Sequence, residues 1–343
     1  MAVKKSKRIF QILLLTGTAI SLFYVPWVLL KIWFSPLPDT VQEQMETALD
    51  YDFAGMIVYV DKVGEAPVSY AAGLHEKSSN TPARPDALFK IASINKLYIA
   101  TAITKLASDG RLSLDSSLAY YFPELIGRIE YAEEITIRMM VQHRSGIPNY
   151  TNVPNYWGNP KESNQENLEL VLDQPASFAP NTSYEYSNTN YLLLAETMDR
   201  VLGYPNFQFI QTEILDRLDL KNTYRSIHDV DMQNVMSGYH IGHPYDLKGD
   251  DVGMVATAED VGIFVRALND GSIFDEGEKE IYTSIYELEH TGLVPGYQSI
   301  VRYHEDIDAV IVQFMNTTNF EGYHWNISEM VYNRIVKIIK ENP

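Results

Sequence analysis

Residues 89–100 run Phe-Lys-Ile-Ala-Ser-Ile-Asn-Lys-Leu-Tyr-Ile-Ala, and the rest of the chain is organised around this stretch. Ser93 and Lys96 stand three positions apart where an apolar segment with helical spacing begins. On a helix, that spacing places a hydroxyl and an amine one turn apart on the same face. Burial among apolar neighbours disfavours the charged lysine, which suits Lys96 to act as a base for Ser93. The pair alone is more typical of an ordinary helix start with a surface lysine, so a catalytic role depends on partners elsewhere in the chain.

The composition is that of an ordinary globular protein. The chain has 343 residues, of which 45% are hydrophobic, enough for one large domain or two. It contains no cysteine, which excludes disulfides, a thiol nucleophile and thiolate metal sites.

The charge is distributed unevenly along the chain. The formal net charge is −18, but residues 1–34 contain five basic side chains and no acidic one, so the remainder carries −23. A body that acidic is a poor candidate for binding nucleic acid or anionic lipid headgroups.

The amino-terminal segment predicts a membrane anchor. Four basic residues near the start precede an uncharged run over 9–30, which would be about 33 Å long as a helix. The basic flank places residues 1–8 in the cytoplasm and the body in the periplasm or outside the cell. We expect a transmembrane signal-anchor over 9–34, kinked at Pro26, and a spacer over 35–44. A cleaved signal peptide is the alternative, although the bulky end of the run offers no small-x-small cleavage site.

Strand patterns occur at both ends of the body, and helix and loop patterns fill the middle. The predicted strands are 54–60, 67–73, 285–292, 297–304 and 307–315. We therefore expect one α+β domain over 45–340 in which the two ends pair into an antiparallel sheet flanked by helices. Its α/β lobe would comprise about 45–114 and 251–340, and a mostly helical lobe about 115–250. A site is expected in the cleft between them, bordered by a Tyr- and Asn-rich loop over 149–165.

Two further short motifs follow the Ser93–Lys96 pair. They are Tyr186-Ser187-Asn188 and His290-Thr291-Gly292. Three matches in this order, each in a fitting element, are far more specific than any one of them. With them, the chain resembles the family of serine hydrolases that includes class C β-lactamases, D-alanyl-D-alanine carboxypeptidases, esterases and D-amino-acid peptidases. The segments 89–93, 135–148 and 253–260 also look like family signatures, so the likeness covers nearly the whole body.

The resemblance implies a β-lactamase/transpeptidase-like fold and an acyl-enzyme formed on Ser93. Lys96 and Tyr186 would share the proton transfers, with either the amine or the phenolate taking the serine proton. The backbone N–H groups of Ser93 and Leu293 would form the oxyanion hole. This chemistry requires no metal and no cofactor.

The resemblance also implies which residues bind substrate. Asn188 would bind the substrate amide or orient Lys96, and Gly292 would let substrate approach the strand closely. His290 and Thr291 would line the site beside it. A histidine stands where the family motif has a lysine, and it offers only a partial charge near neutrality. That difference weakens the case for an efficient β-lactamase and suits a peptidase or an esterase.

The resemblance thus implies hydrolysis of a D-amino-acid-type peptide, an ester or a β-lactam. A dedicated carboxylesterase is one alternative. A penicillin-binding sensor without turnover is another, less favoured because only about eight residues precede the predicted span.

Overall fold

The computed structural model describes residues 2–161 and 163–341. The α-helices of these residues are α1 (Ala2–Leu22), α2 (Trp27–Phe34), α3 (Val41–Leu49), α4 (Asn95–Ser108), α5 (Leu118–Tyr121), α6 (Ile137–Val141), α7 (Asn164–Glu169), α8 (Asn188–Leu202), α9 (Asn206–Ile210), α10 (Ala258–Asp270), α11 (Glu278–Ile285) and α12 (His324–Glu341). The strands are β1 (Gly55–Lys62), β2 (Val68–Glu76), β3 (Thr81–Pro82), β4 (Phe89–Lys90), β5 (Thr223–Tyr224), β6 (Tyr239–His240), β7 (Val255–Ala256), β8 (His290–Val294), β9 (Tyr297–His304), β10 (Ala309–Met315) and β11 (Thr317–Thr318).

The main sheet joins the two ends of the body. In the described part of the chain it has six strands in the order β3-β2-β1-β10-β9-β8, and its long strands are antiparallel. The central pair is β1 with β10, in a register that sets Tyr59 opposite Val312. The predicted pairing of the two ends is therefore confirmed. Strand β8 forms one edge of the sheet, so one side of it faces away from the other strands.

Alternation along the central strand divides the core into two layers. Ile57 and Tyr59 point to one face and pack in the large cluster that includes α4 and the helical middle of the chain. Met56 and Val58 point to the other face and pack against α3 and α12. This period of two is what a strand buried on both faces requires. Helices therefore cover both faces of the sheet.

The helix that carries Lys96 forms as the sequence predicts. A short 3₁₀ turn over Ala92–Ile94 leads into α4, which ends where Asp109 follows Ser108. Nearly all of its residues after the first turn are buried. Helix α4 is thus a central core helix with Ser93 at its amino-terminal entrance.

One predicted strand begins too early. The pattern at 285–292 predicts a strand, but α11 occupies 278–285 and β8 starts only at His290. Tyr282 and Ile285 bury one face of this helix, and two glutamates in its first turn favour the positive helix end. The helical spacing of the buried residues therefore determines the structure here, despite the apolar run that predicts a strand from 285. The strand predicted at 297–304 coincides with β9.

The anchor predicted over 9–34 is broken at Pro26, where the sequence predicts a kink, and its crossing of a membrane stays a prediction. Helix α1 ends at Leu22, and α2 begins only after Pro26, whose ring and missing N–H oppose a continuous helix. Within the described residues, no helix by itself has both the length and the hydropathy needed to cross a bilayer. The segment Phe10–Leu22 and α2 meet these criteria only together, as a pair bent by 77°.

Helix α2 packs against the carboxy-terminal helix of the body. Ile32 is 3% exposed in the cluster formed by α3 and α12. The guanidinium of Arg334 on α12 donates to the carbonyls of Ile32 at 3.3 Å and Ser35 at 3.1 Å, and also to that of Pro36. These contacts join α12 to the last turn of α2 and to the two residues that follow it. Helix α2 is therefore part of the folded body.

Candidate active site

Ser93 lies in the 3₁₀ turn that enters α4, at the edge of the sheet. The residue before it, Ala92, is buried and has φ of +50°, a conformation that residues other than glycine rarely adopt. Such a conformation persists only where the surroundings enforce it, and it often occurs at functional sites. Ser93 is only half-buried, whereas its neighbours Ala92 and Ile94 are buried. The turn thus presents the hydroxyl at the start of a long helix.

Lys96 lies one turn further on and points back to Ser93. Its Nζ is 3.2 Å from Ser93 Oγ and donates to Asn188 Oδ1 at 2.9 Å. The residue is 4% exposed, and burial lowers the pKa of the amine to about 7. Near neutral pH a large fraction of Lys96 is therefore uncharged, which is the form that can accept a proton.

Tyr186 approaches Ser93 from the helical middle of the chain. Its hydroxyl donates to Ser93 Oγ at 2.6 Å, and its ring lies 4.9 Å from Lys96 Nζ. Burial raises the pKa of the Tyr186 hydroxyl above its ordinary value, more than the bond to Ser93 lowers it. Because burial lowers the pKa of Lys96 and raises that of Tyr186, the uncharged amine is more readily available as a base in the resting site than the phenolate.

His143 holds the Tyr186 segment in place. Its ring stacks on that of Tyr186 with centroids 4.5 Å apart, and its Nδ1 accepts the N–H of Ser187 at 3.1 Å. Burial, aided by the charge of Lys96, lowers the pKa of His143 to about 3. The neutral ring must then carry its proton on Nε2, which has no hydrogen-bond partner among the described residues. The sequence marks His143 only as part of a family signature and predicts no role for it.

Both ends of the Asn188 amide are engaged within the protein. Its Oδ1 accepts from Lys96, and its Nδ2 donates to Thr151 Oγ1 at 3.1 Å. Its backbone N–H donates to Asn149 Oδ1 at 3.1 Å. These contacts favour the orienting role for Asn188, and substrate binding by it stays a prediction. The sequence predicts no role for Asn149 or Thr151, because their contacts with Asn188 form only in the folded protein.

His290 is buried on the edge strand with both ring nitrogens occupied. Nδ1 lies 2.5 Å from the carbonyl of Thr291, so it carries the proton, and Nε2 accepts from the Tyr286 hydroxyl at 2.9 Å. Burial, aided by the charge of Lys96, lowers the pKa of His290 to about 4. The Glu287 carboxylate is 3.6 Å from Nε2, but its side chain is mostly exposed, so the desolvation of the ring prevails. The partial charge that the sequence predicts near neutrality is therefore wrong.

Gly292 brings the edge strand against the nucleophile turn. A Cβ at this position would lie 2.4 Å from the Ile91 carbonyl and 3.1 Å from Ala92 Cβ. Its absence thus permits contact within the protein, while its predicted role toward substrate stays a prediction. The next residue, Leu293, is 38% exposed and pairs in register with Gln298. An oxyanion hole from the N–H groups of Ser93 and Leu293 also stays a prediction, which this close packing of strand and turn supports.

Ser145, two positions after His143, is a second serine that lies close to a histidine in the sequence. Its hydroxyl donates to Asn190 Oδ1 at 2.6 Å and accepts the N–H of Ile147 at 3.1 Å in a buried turn. Through these bonds the Ser145 hydroxyl stabilises the turn. Ser93, at the cleft, is the better candidate nucleophile.

Comparison with known proteins identifies relatives of this chain. The Beta-lactamase family model matches residues 37–284, well over half of the chain, and ends before the His290 motif. The chain is 27% identical to protein flp of Staphylococcus aureus (strain MW2) over 207 residues, which cover 56% of this chain and 41% of flp. It is 26% identical to esterase EstB of Burkholderia gladioli over 232 residues, covering 62% of this chain and 57% of EstB. The chain thus spans about half the length of these curated relatives.

The fold agrees with a solved structure as well. D-amino acid amidase from Ochrobactrum anthropi SV3 superposes with a TM-score of 0.77 and 24% sequence identity, covering 90% of this chain and 100% of the amidase. The predicted α+β, β-lactamase/transpeptidase-like fold is therefore confirmed. From the family match, the chain belongs to the β-lactamase family of serine hydrolases.

Proposed function

We propose that this protein is a serine hydrolase that forms an acyl-enzyme on Ser93 and acts on uncharged esters or amides. The observation that carries this proposal is the convergence of two groups on Ser93 Oγ. Lys96 Nζ lies 3.2 Å from that oxygen and the Tyr186 hydroxyl 2.6 Å from it. A nucleophilic serine needs such a neighbouring base and a proton donor for the leaving group.

Acylation begins with the uncharged amine of Lys96. Ser93 Oγ attacks the substrate carbonyl carbon, and its proton passes to Lys96 Nζ. The carbonyl oxygen becomes an oxyanion, which the backbone N–H groups of Ser93 and Leu293 would stabilise; losing one such donor typically costs about 100- to 1000-fold in rate. The amino-terminal end of α4, 14 residues long, adds a favourable dipole at the same place.

Collapse of the intermediate requires a proton on the leaving group. Tyr186 gives its hydroxyl proton to the departing oxygen or nitrogen, and the resulting phenolate takes a proton from the Lys96 ammonium, which restores both groups to their uncharged forms. Water then attacks the acyl carbon and loses a proton to the same pair. The second product is the acid, and Ser93 Oγ recovers its hydrogen.

The motif His290-Thr291-Gly292 carries no charge, which favours substrates that are uncharged. A lysine at position 290 would attract a substrate carboxylate, whereas His290 has a pKa lowered to about 4 and both nitrogens in use. Terminal carboxylates of peptides and of β-lactams would thus gain little from this position. The name of the relative EstB, an esterase, is consistent with ester hydrolysis. β-Lactam hydrolysis is the second candidate, favoured by the family match.

Turnover assays on three substrate classes test the proposal. The full chain and its Ser93→Ala variant are incubated with 4-nitrophenyl acetate, a chromogenic cephalosporin and a peptide ending in D-Ala-D-Ala. We expect ester turnover that Ser93→Ala abolishes, with much slower action on the two carboxylate-bearing substrates. Absence of turnover on all three would contradict the proposal, and rapid cephalosporin cleavage would favour the second candidate. A stable adduct on Ser93 without turnover would instead favour a penicillin-binding sensor.

We also propose that the amino-terminal helices attach the protein to a membrane and leave the catalytic body in the periplasm or outside the cell. Helix α2 is fixed to the body by Ile32 and Arg334, while Trp27, Trp33 and Phe34 on it are 58%, 73% and 79% exposed. Tryptophan favours the membrane interface, and a short helix lying flat there buries such a face. Helix α1 would enter the bilayer, with the basic residues near its start on the cytoplasmic side.

A further inference from the structure

A cavity opens next to the proposed oxyanion strand. It has a volume of about 440 Å³ and is lined by Leu293, Gln298, Phe320, His324 and Trp325, with Trp157 from the loop across the cleft. The cavity therefore lies between the two parts of the body, at the end of β8 and the start of α12. Its size falls in the usual range of small-molecule sites.

The direction of β8 indicates whether this cavity lies on the leaving-group side or on the acyl side of the reacting carbonyl. His290 begins the strand and bonds to the Tyr286 hydroxyl, and the Tyr286 ring packs 5.6 Å from that of Tyr191, which lies beside Lys96. The leaving group departs beside the Tyr186 hydroxyl, hence at this end of the strand. The acyl part must then extend along β8 past Leu293, which lines the cavity. The cavity is therefore on the acyl side of the reacting carbonyl.

The walls of the cavity favour an uncharged aromatic group. Trp157 and Phe320 meet edge to face, with ring centroids 6.3 Å apart, and Trp325 adds a third aromatic side chain. Among the described residues, no lysine, arginine, aspartate or glutamate lines it. Aromatic groups pack on such edges with specific geometry, and a charged group would be desolvated without a partner.

Two buried polar side chains in the wall lack partners. Gln298 is 1% exposed, and its Oε1 accepts no hydrogen bond from the described residues, while its Nε2 donates to the Thr317 carbonyl. Both nitrogens of His324 are likewise unpaired among those residues, and burial lowers its pKa. These atoms are themselves buried, so the aromatic side chains provide the surface that an occupant of the cavity would contact.

We propose that this cavity binds an uncharged aromatic group on the acyl side of the substrate and makes the enzyme selective for arylacyl esters and amides. The inference rests on the proposed function, because it assumes that Ser93 is acylated. Trp157 and Phe320 are the specificity-determining residues, and they take no part in proton transfer.

Two esters with one leaving group test the proposal. Values of kcat/KM are measured for 4-nitrophenyl acetate and 4-nitrophenyl phenylacetate, each corrected for its rate of hydroxide hydrolysis. We expect the full chain to prefer the phenylacetyl ester by at least about 10-fold, the scale on which an apolar pocket discriminates. Trp157→Ala and Phe320→Ala should each remove most of this preference while leaving acetyl ester turnover within about 2-fold. Trp33→Ala, which changes an exposed tryptophan outside the cleft, should leave both values unchanged.

The acetyl ester keeps the two claims separable. If it is hydrolysed but the phenylacetyl ester has no advantage, or if both variants lose activity on both esters equally, the cavity proposal is overturned and the hydrolase proposal stands. If neither ester is hydrolysed, the proposed function fails. The cavity is then tested by titrating Ser93→Ala with phenylacetamide. Saturable binding that Phe320→Ala abolishes supports the cavity, and its absence overturns it.

Discussion

The hydroxyl of Tyr186 donates a 2.6 Å hydrogen bond to the hydroxyl of Ser93, although 93 positions of sequence separate the two residues. The pair brings the entrance of α4 together with the loop before α8, and stacking on His143 fixes the tyrosine ring there. A serine hydroxyl held in this way is directed by a proton donor before any substrate arrives. This relationship is the basis of the first prediction.

Tyr186→Phe should lower kcat/KM by about 100-fold or more for an alkyl ester such as ethyl acetate, whose leaving group needs a proton, since a positioned general acid contributes on that scale. The ring and its stacking on His143 remain, so the fold should be unaffected. Tyr184→Phe is the matched control, because Tyr184 is an exposed tyrosine two positions away. Equal activity of the Tyr186→Phe and Tyr184→Phe variants would exclude Tyr186 from the chemistry.

Activity should fall as the pH drops through about 7. Burial lowers the pKa of Lys96 to about 7, so the amine is uncharged and basic above that pH and protonated below it. His143 and His290, with pKa values lowered to about 3 and 4, stay neutral throughout this range and cannot produce the change. A profile of kcat/KM between about pH 5.5 and 9 tests this. A flat profile, or activity that increases toward acid, would be inconsistent with Lys96 as the base.

His290→Lys should shift preference toward substrates that carry a carboxylate. A fixed ammonium at the edge strand would form a charge-assisted bond worth roughly 1.5 kcal/mol, or about 10-fold in relative kcat/KM for a cephalosporin over the acetyl ester. His290→Gln is the control, because it changes the hydrogen bonds without adding charge. The neutral-site account would be wrong if both variants changed the ratio equally.

Gly292→Ala should destabilise the protein by about 1–3 kcal/mol, the usual cost of forcing an extra methyl into a packed site. The new Cβ would meet the Ile91 carbonyl at 2.4 Å and displace the turn that carries Ser93, so ester turnover should fall as well. Gly249→Ala is the control, because nothing lies within 4 Å of a Cβ there. Urea unfolding of both variants measures the difference; equal midpoints would show that the strand and the turn are not tightly packed.

Helix α2 should contact lipid through its tryptophans. In the presence of vesicles containing brominated lipid, fluorescence of the full chain should be quenched chiefly through Trp27 and Trp33. A Trp27→Phe/Trp33→Phe variant should lose most of the quenching, whereas Trp157→Phe/Trp325→Phe should retain it. If the Trp157→Phe/Trp325→Phe variant lost the quenching instead, or if the full chain showed none, α2 would not lie at the membrane interface.

Much of this arrangement is predictable from the sequence. The ordered motifs around Ser93, Tyr186 and His290 depend on local spacing, and the structure brings all three to one cleft edge. The β-branched runs at the two ends similarly predict the strands that pair in the central sheet.

Other features depend on contacts between distant positions and were beyond such patterns. Pro26 signals a kink, but only the packing of Ile32 and the bonds from Arg334, about 300 positions later, make α2 part of the body. The neutrality of His290 likewise depends on its burial and on the Tyr286 hydroxyl. The packing role of Gly292 depends on the backbone at Ile91.

The most direct test of the central claim is the site of covalent acylation. The full chain is mixed with 4-nitrophenyl acetate, quenched in acid within one turnover, and analysed by intact mass and peptide mapping. We predict one added acetyl group, located on Ser93, that is absent in Ser93→Ala. An acetyl group on another residue, or an adduct that persists in Ser93→Ala while turnover continues, would contradict the account.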